Sequence, residues 1–407
     1  MPMNICLLSL EWPPYGGGIG TYMYNLAQGL SELKHNVTVI THDKEPEKIN
    51  GVKIAQVQLP SEPGKFQRKL FRWIWEPHHT WSKRAWQYFK SIEKTNSFDI
   101  IETAEYGAWA RHFIGNLNIP IVVRCHTPAS GVKEIPSNGT PWKMPLWLSL
   151  EERRERIQTR RADAIGSPSY VLSNHISLIW SIPTGRIKVL PNPVNTQYFR
   201  PLENENRKKE LLYTGRLQYN KGVFDLIEAV IPLLKEHPDL IVRLIGKDIK
   251  NSKCVGGRHK MTSEEILSRI PAENKRQVII AGWMPNDELL SCQQNAMCAV
   301  VPSRGFESFS YTLTQHMACG TAVVASHCGG PTEIVNDGID GMLVPVGDKK
   351  ALTTTIKKLI ENPNLCRQLG LQARRKVEEQ FSIPVVIPRI INWYEQIIEN
   401  HKKGDLV

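Results

Sequence analysis

Residues 191–222 read PNPVNTQYFRPLENENRKKELLYTGRLQYNKG, and they decide the architecture. The part up to Glu210 is rich in Pro, Asn and charge and carries no sustained apolar period, which is the composition of a linker. The run Leu211 to Thr214 is then a fresh strand. Upstream, short apolar runs at Asn4–Leu10, Val37–Thr41, Asp99–Glu102, Pro120–His126, Ala164–Ser167 and Ile187–Leu190 are separated by helix-length amphipathic stretches, two of which begin near Thr21 and Ser169. Downstream the same alternation restarts with Ile241–Gly246, Val278–Ala281, Ala299–Pro302, Ala322–Ala325 and Gly341–Val344. Repeated βαβ alternation predicts mostly parallel sheets with helices on both faces, an α/β fold of two doubly wound domains. The boundaries fall at 1–191 and 192–382. The stretch 383–407, helical in pattern from about Ile383 to Asn400, is expected to cross back to the N-terminal domain.

A chain of 407 residues exceeds one typical hydrophobic core, and 41% hydrophobic with 22% charged residues is ordinary for a folded globular protein. Of the eight cysteines, Cys6, Cys254, Cys298 and Cys319 lie in or beside apolar runs and form no C-x-x-C pair, so they read as buried thiols in a reducing compartment. The N-terminus MPMNICLLSLEWPP has no basic leader, and no apolar run reaches about 18 residues, so neither secretion nor a transmembrane anchor is expected.

The net charge of +11 favours an anionic partner. Lys65 to Lys90 holds seven basic residues against Glu76 and four of the eleven tryptophans. Phe66, Leu70 and Trp73, then Trp81, Ala85 and Tyr88, fall at helical spacing. That pattern suits an interfacial membrane helix, and equally an amphipathic helix packing its aromatic face on its own domain. Nucleic acid is disfavoured, because no zinc-finger, RNP-like or helix-turn-helix pattern accompanies the charge.

Three motifs carry candidate chemistry. The first, Trp12-Pro13-Pro14-Tyr15-Gly16-Gly17-Gly18-Ile19-Gly20-Thr21, joins a strand to a helix, where glycines let backbone N–H groups approach an anion. It is neither G-x-G-x-x-G nor a P-loop. In the second, Tyr213 to Gly222, Arg216 and Lys221 on a Gly-bearing loop can converge on one pyrophosphate; a solvated basic loop is the plain alternative. The third runs from Val301 to Thr321 and puts Glu307 on a loop and Gln315 in the second turn of a helix starting near Tyr311, so that both can hold vicinal hydroxyls. His327-Cys328-Gly329-Gly330-Pro331-Thr332-Glu333 is a further Gly-rich turn. No D-x-D motif or His/Cys cluster with metal-ligand spacing is present.

Taken together, PPYGGGIGTYMYNLAQGL (13–30), VVRCHTP (122–128), IKVLPNPVNTQYFRP (187–201), YTGRLQYNKG (213–222) and the Glu307–Gly320 block running on through CGGPTEIVNDGIDGMLVP (328–345) resemble the family-4 retaining glycosyltransferases. The resemblance covers almost the whole chain. It implies the GT-B fold, two Rossmann-like domains facing across a cleft, and retaining transfer of a hexosyl unit from a nucleotide diphosphate sugar of UDP or GDP type. That sugar is a co-substrate; no cofactor and no catalytic metal are implied. By position, Gly17 and Gly18 would approach the donor diphosphate, Arg216 and Lys221 would bind its phosphates, and Glu307, followed by Ser308, Phe309 and Ser310, would bind the transferred sugar. His126 matches the family's active-site histidine, a buried structural histidine being the plain alternative. Trp283 and Met284 are placed at the base pocket by position alone.

One departure stands out. The family's E-x7-E reads Glu307-x7-Gln315 here, so an amide replaces the carboxylate usually on the ribose, and Ser310 stands where Gly is usual. This keeps a non-catalytic sugar-nucleotide-binding subunit in view beside a sugar-nucleotide isomerase. Acceptor contacts are expected from Glu102–Trp109 and Pro128–Trp147. The Lys65–Lys90 segment points to a lipid-linked glycan or cell-surface polysaccharide precursor and to a cytoplasmic protein peripheral on the inner membrane face.

Overall fold

Val37–Ile40 and Ile5–Leu8 are buried throughout, as expected of strands covered by helices on both faces. The computed structural model describes residues 1–14, 17–42, 45–59, 77–128, 146–202, 207–251 and 260–404. Tyr15, Gly16, Cys254, the 65–76 part of the basic segment and residues 129–145 of the expected acceptor loop lie outside the described residues. The chain divides into two compact units.

The first unit contains Met1–Lys133, Trp142–Pro193 and Ile383–Val407. Its strands are Asn4–Ser9 (β1), Asn36–Thr41 (β2), Val52–Gln56 (β3), Ile100–Ala104 (β4), Ile121–Arg124 (β5), Ala164–Ser167 (β6) and Ile187–Val189 (β7). They form one parallel sheet in the order β3-β2-β1-β4-β5-β6-β7. The order reverses between β1 and β4, the place where open α/β sheets bind ligands beyond their carboxyl ends. Strand β3 was not expected from the sequence. It is a short edge strand, with Lys53 and Gln56 exposed and only two strongly apolar residues, so its pattern hardly differs from a loop.

The helix Ile383–Lys403 belongs to this unit and packs on Gly18–Glu32. A Cβ at Gly29 would lie 2.4 Å from Ile387, so the two helices meet where one side chain is missing.

In the helix Pro77–Ile92 the buried face is Trp81, Ala85 and Phe89. Tyr88, expected on that face, is exposed. The i+8 position wins because Phe89 stacks on Phe98 and meets Phe113 edge-on, each at 5.3 Å, while Trp81 lies 6.0 Å from Trp109 and donates to the Val57 carbonyl at 3.1 Å. The aromatic face is therefore used up inside the unit, and Lys83, Arg84 and Lys90 point outward. Among the described residues no helix is long and apolar enough to cross a membrane.

The second unit contains Val194–Ser382. Lys208–Thr214 (β8), Ile241–Ile245 (β9), Lys250–Asn251 (β10), Lys260–Met261 (β11), Val278–Gly282 (β12), Ala296–Val301 (β13), Ala322–Ser326 (β14) and Met342–Val344 (β15) are its strands. A parallel sheet runs β12-β9-β8-β13-β14-β15 and reverses between β8 and β13; β10 and β11 pair as a small antiparallel ribbon. Strand β8 begins three residues before the expected Leu211, in charged sequence. Glu210 explains it: buried on β8, it accepts two hydrogen bonds from Arg243 of β9, at 2.7 and 3.0 Å.

One face of the sheet packs on Val223–Glu236 and Lys349–Ile360, and the other on Tyr311–Ala318 and Pro363–Gln380. Cys6, Cys125, Cys298, Cys319 and Cys366 are buried free thiols, and Cys292 and Cys328 are half-buried.

Candidate active site

At the β8/β13 reversal, the loops 215–222 and 302–310 are stitched together by their backbones. Arg304 and Gly305 donate their N–H groups to the Asn220 carbonyl at 2.9 and 3.3 Å. The Arg304 guanidinium holds both oxygens of Asp225, at 2.5 and 2.7 Å, and donates to the Tyr219 hydroxyl at 2.7 Å. Gly222, at φ +70°, lies so close to Pro302 that a Cβ would fall 1.7 Å from its carbonyl oxygen.

This stitching brings the Lys221 ammonium onto Glu307 Oε1, to which Ser303 Oγ also donates at 2.8 Å. Glu307 Oε2 has no hydrogen bond among the described residues. The Glu307 carbonyl accepts from Gly330 N at 2.6 Å. Gly329, at φ +55°, has room only for hydrogen there, since a Cβ would lie 2.2 Å from that same carbonyl oxygen. The glycines of the 328–333 turn thus serve close packing, Gly329 on the Glu307 backbone and Gly330 on that of Ser308.

Arg216 and Lys221, expected to converge on one pyrophosphate, have different surroundings. Lys221 is bonded to Glu307, whereas Arg216 is exposed and its side chain makes no hydrogen bond or ion pair among the described residues. Tyr213 fixes the Arg216 backbone by donating its hydroxyl to the carbonyl at 2.8 Å.

Ser308 is half-buried. The Phe309 ring is in the core, 5.7 Å from Phe381 and 5.5 Å from Tyr311, so it anchors the loop and leaves only its backbone for a ligand. Ser310 takes φ +69°, a left-handed conformation that costs a non-glycine residue about 1–2 kcal/mol. Gln315 is half-buried, and its amide makes no hydrogen bond among the described residues. After β12, Met284 packs on Leu212, Ile245 and Ala296, while Trp283 is 57% exposed at the β12 edge of the sheet. Of the two, Trp283 is the one at the surface, and Met284 is packed inward.

In the first unit, Gly17 and Gly18 are exposed at the start of the helix Gly18–Glu32, which has no side-chain N-cap. Gly17 N donates to the Glu11 carboxylate at 3.0 Å, so the turn does receive an anion, and Glu11 was not singled out from the sequence.

His126 is buried just beyond β5, its N–H donated to both Glu105 oxygens at 2.8 Å and its ring 5.0 Å from Tyr22, edge-on. Burial, then the charge of Arg124, lowers its pKa to about 3, so the ring is neutral. Its Nε2 is buried without a hydrogen-bond partner among the described residues. Burial lifts the Glu105 carboxyl to about 7 against the opposing pull of backbone N–H bonds. Beneath lies a buried network: Arg124 sits 5.0 Å over the Tyr22 ring and donates to the Leu190 carbonyl, and Tyr22 and Tyr394 both donate to Glu102, Tyr22 at 2.6 Å. Glu102 and Trp109, at the ends of the expected acceptor loop, are fully buried, so neither side chain is presented outward.

Among the described residues one grouping has the layout of metal ligands, Glu236, His237 and Glu361. Lys357 already holds Glu236 there at 2.6 Å and lies 3.9 Å from Glu361.

Two Rossmann-type units of parallel sheet, the second with Lys221, Glu307 and Arg216 gathered at its strand-order reversal, define the GT-B class of sugar-transferring proteins. The family model described as "Glycosyltransferase Family 4" matches residues 16–198, and that of "Glycosyl transferases group 1" matches residues 194–376. The chain belongs to glycosyltransferase family 4. It is 27% identical to the MMP alpha-(1->4)-mannosyltransferase of Mycolicibacterium hassiacum, over 97% of this chain and 98% of the relative. Sucrose-phosphate synthase from Thermosynechococcus elongatus has the same fold, with a TM-score of 0.79 at 20% identity over 98% of this chain and 99% of that one. Anabaena HepE in complex with UDP-glucose has a TM-score of 0.72 at 15% identity over 97% of this chain and 100% of that one.

Proposed function

We propose that the chain is a retaining hexosyltransferase acting from a nucleotide diphosphate sugar of UDP or GDP type on an acceptor hydroxyl. The observation that carries the reading is the contact of Lys221 with Glu307, held by Ser303 and the Arg304 stitching at the strand-order reversal, with the exposed Arg216 on the same loop. In the second unit, Arg216 and Lys221 take the diphosphate, Glu307 takes sugar hydroxyls, and the Trp283 ring is the candidate base contact. In the first unit, His126 Nε2 is offered to a sugar hydroxyl and Gly17–Gly18 to an anion.

In the reaction the bond from the anomeric carbon to the diphosphate breaks, and a bond to the acceptor oxygen forms on the same face. The acceptor proton passes to a phosphate oxygen, so no side-chain base is required. Cationic side chains aimed at the departing diphosphate supply the electrostatic stabilisation, which makes the reading metal-independent. A glycan acceptor, lipid-linked or a cell-surface polysaccharide precursor, completes it; of the exposed basic residues described in this segment, Arg84 donates to the Gln58 carbonyl at 2.8 Å and Lys90 pairs with Glu93 at 2.6 Å, which leaves Lys83 for an anionic membrane.

A thermal-shift panel of UDP, GDP, ADP and dTDP with their common sugar conjugates tests the donor site, since ligands of the folded state raise the midpoint. The expected result is a rise with one nucleotide family that Arg216→Ala removes. Gln315→Glu is expected to tighten that nucleotide about fivefold, through charge assistance to the ribose bond. No rise with any nucleotide would turn the reading toward a non-catalytic protein. Flotation with anionic vesicles at low salt tests the membrane arm, and a protein left in the pellet fraction removes it.

A further inference from the structure

Thr214 closes β8, and its Oγ1 lies 2.9 Å from Nε2 of His316 in the helix Tyr311–Ala318. His316 is fully buried, and its Nδ1 has no hydrogen-bond partner among the described residues. Burial, then the charge of Arg207, lowers the pKa of the ring to about 3, so it is neutral and carries one N–H. A proton on Nδ1 would leave a buried N–H orphaned, a state folded proteins avoid more strictly than a bare acceptor. The proton therefore sits on Nε2 and is donated to Thr214. With Oγ1 accepting from His316, the Thr214 hydroxyl hydrogen must be donated elsewhere, and among the described residues it has no acceptor.

Thr214 is half-buried and immediately precedes Gly215 and Arg216 at the carboxyl end of β8. We infer that Thr214 is a donor-binding residue, its hydroxyl aimed by neutral His316 to donate a hydrogen bond to a phosphate oxygen of a nucleoside diphosphate. This rests on the donor-site reading above. A hydroxyl bonded to an anionic oxygen is charge-assisted, and His316 is a positioning residue that acts through it. The pair was invisible to motif reading because its members lie 102 residues apart.

Isothermal titration of the intact chain with UDP, GDP and ADP tests the inference. Thr214→Val is expected to weaken the nucleotide that binds by about tenfold, and Thr214→Ser to recover most of that loss. His316→Ala should weaken it in the same direction, with no further loss in the Thr214→Val/His316→Ala double variant, because both changes remove one interaction. Histidine-selective 15N NMR of the unmodified chain is expected to report Nε2–H on His316 and a change in its signal on addition of nucleotide. An unchanged affinity in a folded Thr214→Val, or an Nδ1–H tautomer, overturns the inference and leaves the donor site standing. Absence of binding by the unmodified chain overturns both together.

Discussion

Alanine at position 221 is expected to lower transferase turnover about 10²–10³-fold, the effect of deleting one preorganised group that stabilises charge in the transition state. Two losses combine. On the proposed reading the ammonium that would neutralise the departing diphosphate is gone, and Glu307, with a side chain only 13% exposed, is left with Ser303 as its one neutral donor. An uncompensated carboxylate at that point repels the donor phosphates, so KM for the donor should rise as kcat falls. The fold should survive, because the loop is held by Arg304, Asp225 and the Asn220 carbonyl and not through Lys221. Lys221→Arg should recover only part of the rate, since a planar fork does not reproduce a point charge. Initial rates at saturating donor, with a thermal melt of each variant, check this. A drop of less than about fivefold would remove Lys221 from the reaction.

What the sequence disclosed follows from the range of the interactions involved. Buried strands of a doubly wound sheet are continuous apolar runs, so twelve runs could be named, while β3, half-exposed at an edge, could not. The charged start of β8 reads as linker because the partner that makes it a strand, Arg243, lies 33 residues away. In the Pro77–Ile92 helix, spacing located an amphipathic face but could not choose between Tyr88 and Phe89, which only Phe98 and Phe113 decide. The motifs located Arg216, Lys221 and Glu307, since loops at strand ends are local. The bond between Lys221 and Glu307, the sequestered Phe309 ring, and the use of Gly329 for packing on Glu307 depend on tertiary contacts that no spacing encodes.

Gly222→Ala is the second large effect, and it separates two demands that glycine meets at once. An alanine Cβ would lie 1.7 Å from the Pro302 carbonyl oxygen, an atom of the backbone leaving β13 that has no rotamer to change. The loop must lift away. Doing so breaks the bonds from Arg304 N and Gly305 N to the Asn220 carbonyl, each worth about 0.5–1.5 kcal/mol net. The φ of +70° adds about 1–2 kcal/mol for any side chain. Together these give roughly 2–5 kcal/mol. In a unit of this size that lowers the midpoint on the order of 10 °C, and it displaces the adjacent Lys221 from Glu307. Gly338 supplies the control, because it has φ +73° and nothing within 4 Å of a Cβ, so Gly338→Ala meets the conformational demand alone. The Gly222 variant is expected to melt several degrees below the Gly338 variant and to lose nucleotide binding that the Gly338 variant keeps. Equal midpoints would mean that backbone conformation, and not the close approach of Pro302, is what requires glycine beside the donor loop.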